Sequence, residues 1–303
     1  MADLKVNFAG VEFKTPVVMA SGTFGFGREY SEFYDLSKLG GISVKGITAS
    51  ERLGNPPPRI AETPMGVLNC VGLQNPGVDA VIRDELPFLR KFDTKIIANI
   101  SGNTVEEYGE MAEKLSDAGV DMIEANISCP NVKCSGIAFG TTCSSAAEVT
   151  KIVKQHSAVP VMVKLTPNVT DIAEIARAVE DAGADAVSLI NTILGMKIDI
   201  ETCRPVLSIN TGGLSGPAVF PVAVRMVWQV ASAVKIPVMG MGGISSGDDA
   251  AEMMIAGASM ISVGTACFMD PMAPIKITDG LNDYLNRKQI DSAMDLTGKV
   301  RIN

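Results

Sequence analysis

Eight short apolar runs, the amphipathic patterns between most of them and an Ala-Gly pair that closes three of those patterns predict a (β/α)8 TIM barrel. Strands of a parallel sheet are covered on both faces, so they read as continuous rather than alternating hydrophobics. The runs are Pro16–Ala20, Gly41–Lys45, Lys95–Asn99, Met122–Ile127, Val159–Leu165, Ala186–Asn191, Pro237–Met241 and Met260–Gly264. After the third, Thr104–Ala118 puts Val105, Tyr108, Met111, Ala112 and Leu115 near one helical face, with Glu106, Glu107 and Glu110 as its polar residues. Ala173–Ala182 follows the fifth run and Gly247–Ala256 the seventh. Their ends, Ala118-Gly119, Ala182-Gly183 and Ala256-Gly257, suit a left-handed turn into the next strand. A doubly wound open sheet is the competing architecture. The count of eight, and the lack of GxGxxG after the first run, favour a closed barrel spanning residues 1–303 as a single domain.

Active sites of such barrels lie in the loops after the strand C-termini. Three of these loops are long, Gly46–Gly77, Ser128–Ser144 and Thr192–Gly216, and such lengths are uncommon without function. They are expected to form a lid over the C-terminal face, although one of them could hold a small hairpin instead.

The chain has 303 residues, 47% apolar and 20% charged, with net charge −8, which argues against a nucleic-acid or anionic-membrane surface. The first residues, Met1-Ala2-Asp3-Leu4-Lys5-Val6-Asn7, show no basic region followed by an apolar run, so no signal peptide is expected. No apolar stretch reaches the ~18 residues of a membrane span. Val222 to Val234 comes nearest, but Arg225 and Gln229 interrupt it and Trp228 is expected in a helix core. The six cysteines, at 70, 129, 134, 143, 203 and 267, form no CxxC pair, which points to reduced thiols, a cytoplasmic location and no metal or iron–sulfur cluster on this chain.

The strand ends collect the polar residues. The first ends Ala20-Ser21-Gly22-Thr23, the second at Lys45, the third at Asn99 and the fourth at Asn126; the fifth contains Lys164 and the sixth ends Asn191-Thr192. The seventh ends Gly240-Met241-Gly242-Gly243 and the eighth Gly264-Thr265. Glycine-rich turns after the last two strands suit a phosphate, whose oxygens need close backbone N–H groups. Read alone, Gly242 and Gly243 are turn formers. Lys45 and Lys164 suggest an anion between them, against the plainer reading of lysines that snorkel from strand ends. Asn69, Asn99, Asn126, Asn131 and Asn191 suit a planar heterocycle with alternating N–H and C=O groups, although any single Asn is more often a turn residue.

Cys129, in Asn126-Ile127-Ser128-Cys129-Pro130-Asn131, stands where a buried strand opens into a polar loop. A free cysteine is often an inert buried thiol. Here the chain has a single histidine, His156, and no Ser-His-Asp set, so a thiol is the candidate for proton transfer. Cys134 is read as filling space.

Together these motifs resemble dihydroorotate dehydrogenase of class 1, and most of all the catalytic subunit of subclass 1B. The resemblance covers essentially the whole chain. It rests on Ala20-Ser21-Gly22-Thr23-Phe24-Gly25, on Gly54-Asn55-Pro56 with Pro58-Arg59, on Leu68-Asn69 with Gly72-Leu73-Gln74-Asn75-Pro76-Gly77, and on the Cys129 segment. Lys164-Leu165, Gly213-Leu214-Ser215-Gly216 and Gly240-Met241-Gly242-Gly243 complete it, and Thr23-Phe24-Gly25-Phe26-Gly27 with Ile190-Asn191-Thr192 resembles 1B in particular. The family implies a barrel holding FMN. Matched by motif, Ala20, Ser21, Lys45, Asn99, Asn126, Lys164 and Ile190 contact the flavin, and Gly216, Gly242, Gly243, Gly264 and Thr265 its phosphate. Lys45, Asn69, Gly72, Leu73, Asn126, Asn131, Asn191 and Thr192 hold dihydroorotate or orotate, with Cys129 in the base position. Subclass 1B implies a homodimer core joined to a subunit carrying FAD and a [2Fe-2S] cluster that passes electrons to NAD+. A fumarate-using class 1A enzyme, a dihydropyrimidine dehydrogenase-like flavoprotein and a non-catalytic phosphate-binding barrel are the rival readings.

Overall fold

The computed structural model of the chain describes residues 2–128 and 139–303. Eight parallel strands close into one barrel in sequence order, with the last hydrogen-bonded to the first. They are β1 (Val17–Met19), β2 (Gly41–Ser43), β3 (Lys95–Ile100), β4 (Met122–Asn126), β5 (Val161–Lys164), β6 (Ala186–Leu189), β7 (Val238–Met241) and β8 (Met260–Val263). Every one falls on an expected apolar run. Almost all their side chains are buried, because the inward ones fill the barrel and the outward ones meet helices.

Around the barrel lie α1 (Val105–Asp117), α2 (Cys143–His156), α3 (Ile172–Asp181), α4 (Phe220–Ala231), α5 (Gly247–Ala256) and α6 (Ala273–Lys288). The starts of four of them have a visible chemical cause, and at α2 Thr142 accepts from the Ser145 N–H. Thr104 accepts from the Glu107 N–H, Asp171 from Ala173 and Glu174, and Ser246 from Asp249, satisfying amides that the first turn leaves without partners. Beyond α1 and α3, Gly119 (φ +77°) and Gly183 (φ +100°) make the positive-φ turns expected of them. Trp228 departs from expectation. It is 38% exposed, because α4 turns Ala223, Met226, Val227 and Val230 inward and leaves Trp228 on the outer side.

The N-terminal side is closed by an antiparallel hairpin, Val6–Phe8 with Val11–Phe13. Val6, Phe8 and Phe13 pack with Val18, Ile97, Met122, Met162, Met239 and Met260 from the barrel strands. Phe8 and Phe13 meet edge to face, with centroids 6.5 Å apart. Phe8→Ala is therefore expected to cost about 3–5 kcal/mol, the range for truncating a buried aromatic, read as a shifted midpoint in urea.

Two of the long loops form structure the sequence did not disclose. Ile60–Thr63 and Gly66–Asn69 from one, and Ile193–Met196 and Thr211–Ser215 from the other, pair as one four-stranded antiparallel sheet. Ala61, Leu68, Cys70 and Leu207 make a small core of their own with it. The expected lid is thus largely a sheet that both loops share, and the Thr192–Gly216 loop also holds the small hairpin that was expected of one of them, Ile198–Asp199 paired with Arg204–Pro205. The third loop lies mostly outside the described residues. Among the described residues no helix is long and apolar enough to cross a membrane, and no cluster of His, Cys, Asp and Glu could hold a metal.

Candidate active site

A cavity of about 370 Å³ opens at the C-terminal ends of the barrel strands. All twelve residues expected at the cofactor line it: Ala20, Ser21, Lys45, Asn99, Asn126, Lys164, Ile190, Gly216, Gly242, Gly243, Gly264 and Thr265. So do Asn69, Gly72, Leu73, Asn191 and Thr192 from the set expected at the substrate. Cys129, Asn131 and Cys134 lie outside the described residues.

The side nearest β7 and β8 is backbone-rich. Gly216, Gly242 and Gly243 have φ of +106°, +120° and +80°. A Cβ at Gly243 would stand 2.7 Å from Cβ of Phe220 and 2.9 Å from the carbonyl of Gly216, so that turn admits no side chain. The N–H groups of Gly242, Gly243, Gly264 and Thr265 have no acceptor among the described residues. The Thr265 hydroxyl donates to Ser215 at 2.8 Å. At the rim, Lys276 pairs with Asp270 at 2.6 Å, and both line the cavity. Sequence reading missed this pair, because Lys276 sits in the first turn of a helix whose polar residues read as solvated.

The opposite side carries amides. The Asn126 side-chain oxygen accepts from Ser128 Oγ at 2.8 Å, and Ser128 Oγ accepts from Asn191 Nδ2 at 2.5 Å. Asn191 Oδ1 accepts from the Thr192 N–H at 2.7 Å, so both ends of that amide are occupied. Asn69 donates to the Gly213 carbonyl at 3.3 Å across the four-stranded sheet. Lys164 is 5% exposed and has no hydrogen-bond or ion partner among the described residues.

The floor holds a group absent from every sequence expectation. Glu124 of β4 is fully buried and accepts from Ser43 Oγ at 2.6 Å, Asn99 Nδ2 at 2.6 Å and Ser188 Oγ at 2.7 Å. Its only sequence signal was a lone charge inside a buried strand. Asn99 and Ser262 line the cavity, and their buried Oδ1 and Oγ atoms have no hydrogen-bond partner among the described residues.

Unpartnered amides at the β7–β8 side, a buried lysine and unpartnered polar atoms at the floor fit an elongated ligand with a phosphate at one end and a polar ring at the other. FMN has that form.

No histidine or described cysteine lines the cavity. His156 ends α2 on the barrel's outer layer, with Nδ1 3.4 Å from Glu113. Cys267 is buried, and desolvation, with Asp270 adding to it, pushes its thiol up to about 12. Cys70 is buried and Cys203 exposed. Iodoacetamide at pH 8 is therefore expected to label Cys203 and spare Cys70 and Cys267, as read by peptide mass spectrometry.

A family model described as dihydroorotate dehydrogenase matches residues 3–285. The dihydroorotate dehydrogenase B (NAD(+)), catalytic subunit of Alkaliphilus oremlandii is 56% identical over 298 residues, covering 98% of this chain and 99% of the relative. The subunit of that name from Geobacillus kaustophilus is 58% identical over 281 residues, covering 92% and 90%. A crystal structure of DHODH from Eimeria tenella, in complex with ferulenol, superposes with TM-score 0.82 at 23% identity, covering 98% of this chain and 88% of that one. The last likeness speaks to the fold alone, which is the closed barrel described above.

Proposed function

Since the chain belongs to the dihydroorotate dehydrogenase family, we propose that it is the FMN-dependent catalytic subunit that oxidises (S)-dihydroorotate to orotate in pyrimidine biosynthesis. The observation that carries this reading is the single cavity wall on which Lys45, Lys164, the asparagines and the glycine turns converge. Residues 1–303 act as one domain in this reading.

FMN, when bound, supplies the two-electron acceptor for the hydride that leaves C6 of the substrate. The chain's own residues do the rest. The amides of Gly242, Gly243, Gly264 and Thr265, with Gly216 leaving room for approach, hold the phosphate. Ala20, Ser21, Asn99, Asn126, Lys164 and Ile190 bind the ring. Lys45 sits between the two ligands and balances the substrate carboxylate. Asn69, Gly72, Leu73, Asn126, Asn131, Asn191 and Thr192 orient the pyrimidine ring. Ser128, tied to Asn126 and Asn191, fixes the chain one residue before Cys129. Cys129 takes the proton from C5, on the ring face away from the hydride acceptor.

The relatives' printed name, a catalytic subunit of an NAD(+) enzyme, supports a separate electron-transfer partner. We place FAD and a [2Fe-2S] cluster on that partner, on a homodimer core of this chain, in the cytoplasm.

The test is to purify the chain, record flavin absorbance, and assay dihydroorotate oxidation with a dye, with NAD+ and with fumarate. Yellow protein that reduces dye but neither other acceptor is the expected result. Efficient fumarate use would make it the 1A type. Activity on dihydrouracil in place of dihydroorotate, or colourless protein inert with every acceptor, would overturn the reading.

A further inference from the structure

Asn99 is held at one end of its amide only. The residue lines the cavity; its Nδ2 donates to Glu124, and its buried Oδ1 has no hydrogen-bond partner among the described residues. A carboxylate accepts and does not donate, so the amide cannot turn over without losing the Glu124 bond. Glu124 itself is locked by Ser43 of β2 and Ser188 of β6. A Cβ at residue 46 would stand 3.0 Å from Asn99 Oδ1, and glycine there keeps the oxygen clear. The floor is therefore built to present an acceptor and to refuse a donor.

We propose that Glu124, which lies beneath the cavity and touches no ligand, is a positioning residue that commits Asn99 Oδ1 to a ring N–H of the bound flavin. This rests on the flavin reading above. The location selects the ring rather than the phosphate. The unpartnered amides are at β7 and β8, and β3, which carries Asn99, lies four strands from β7 in a barrel of eight. The oxidised isoalloxazine ring has one N–H, at its imide nitrogen, so that group is the partner. An acceptor left without its donor in a buried site weakens binding by about tenfold or more.

The experiment uses the full chain stripped of flavin and titrated with FMN or with N3-methyl-FMN, followed by fluorescence quenching. Wild-type protein is expected to prefer FMN by at least about tenfold. In Glu124→Met no acceptor holds Asn99 Nδ2, so the amide is free to turn its NH2 to the cavity and the preference collapses towards unity. Ser188→Ala removes a bond to Glu124 without freeing Asn99. It should lower the melting temperature and keep the preference, which a merely structural role for Glu124 does not predict. Where Glu124→Met does not fold, Glu124→Leu tests the same loss of preference. Equal affinity of the wild type for both flavins, or an unchanged preference in a folded Glu124 variant, overturns the proposal. A wild type that binds neither flavin sinks the flavin reading first, and this inference with it.

Discussion

Cys129→Ala is expected to keep its flavin and lose about 10²- to 10⁴-fold in dihydroorotate oxidation, the usual contribution of a positioned general base. The reason is the poverty of the cavity in other bases. Among the described residues its wall contains no histidine and one carboxylate, Asp270, which is already paired with Lys276. Glu124 is sealed beneath the floor with both oxygens engaged. Among the described thiols, Cys267 is held protonated by burial and borders a separate surface depression beside Tyr30 and Phe33. In the reading proposed above, the proton at C5 leaves through Cys129, on the segment that begins after Ser128. Cys129→Ser should fall between wild type and alanine, because a hydroxyl in the same place gives up its own proton far less readily than a thiol and is seldom in the basic form. Dye-linked turnover and flavin stoichiometry, measured on the same preparations, separate loss of base from loss of cofactor. Full activity in Cys129→Ala, with Cys134→Ala inactive, would transfer the role to Cys134.

The sequence disclosed the barrel because burial on both faces leaves a mark that needs no partner to be seen. Val161-Met162-Val163 and Met260-Ile261-Ser262-Val263 read as strands on their own. The four-stranded sheet left no such mark. Asn69 and Gly213 are register partners 144 positions apart in the chain, in strands of four and five residues, and nothing local encodes their meeting. Strand ends were legible as a site because chain direction alone puts them on one face. What lay beneath them was not. Ser43, Glu124 and Ser188 are each an isolated polar residue in an apolar run, and only closure of the barrel brings three strands' side chains onto one carboxylate. Trp228 failed for the converse reason. Its helix is apolar almost all round, so the pattern could not say which side turns inward.

Lys164→Met is expected to move stability and binding in opposite directions. The wild-type side chain ends β5 almost fully buried, with no partner among the described residues, and burying such a group without compensation costs stability. Methionine has nearly the same length, no charge and enough freedom to fill the space. Flavin-free Lys164→Met should therefore melt several degrees above flavin-free wild type, since about 1 kcal/mol corresponds to ~2–4 °C or less in a chain of this size. With FMN the order reverses. In the reading proposed above, the lysine gives a charge-assisted hydrogen bond to a ring oxygen or nitrogen, worth about 1.5–3 kcal/mol. Its loss should weaken FMN binding by roughly 10- to 100-fold. Saturating FMN then raises the wild-type melting temperature more than the variant's, because a ligand stabilises in proportion to its affinity. Paired thermal melts with and without FMN check both halves. A variant that melts lower in the absence of flavin, or binds FMN as tightly as wild type, would show that Lys164 is a structural strand-end residue and that the cavity's polarity is set by other groups.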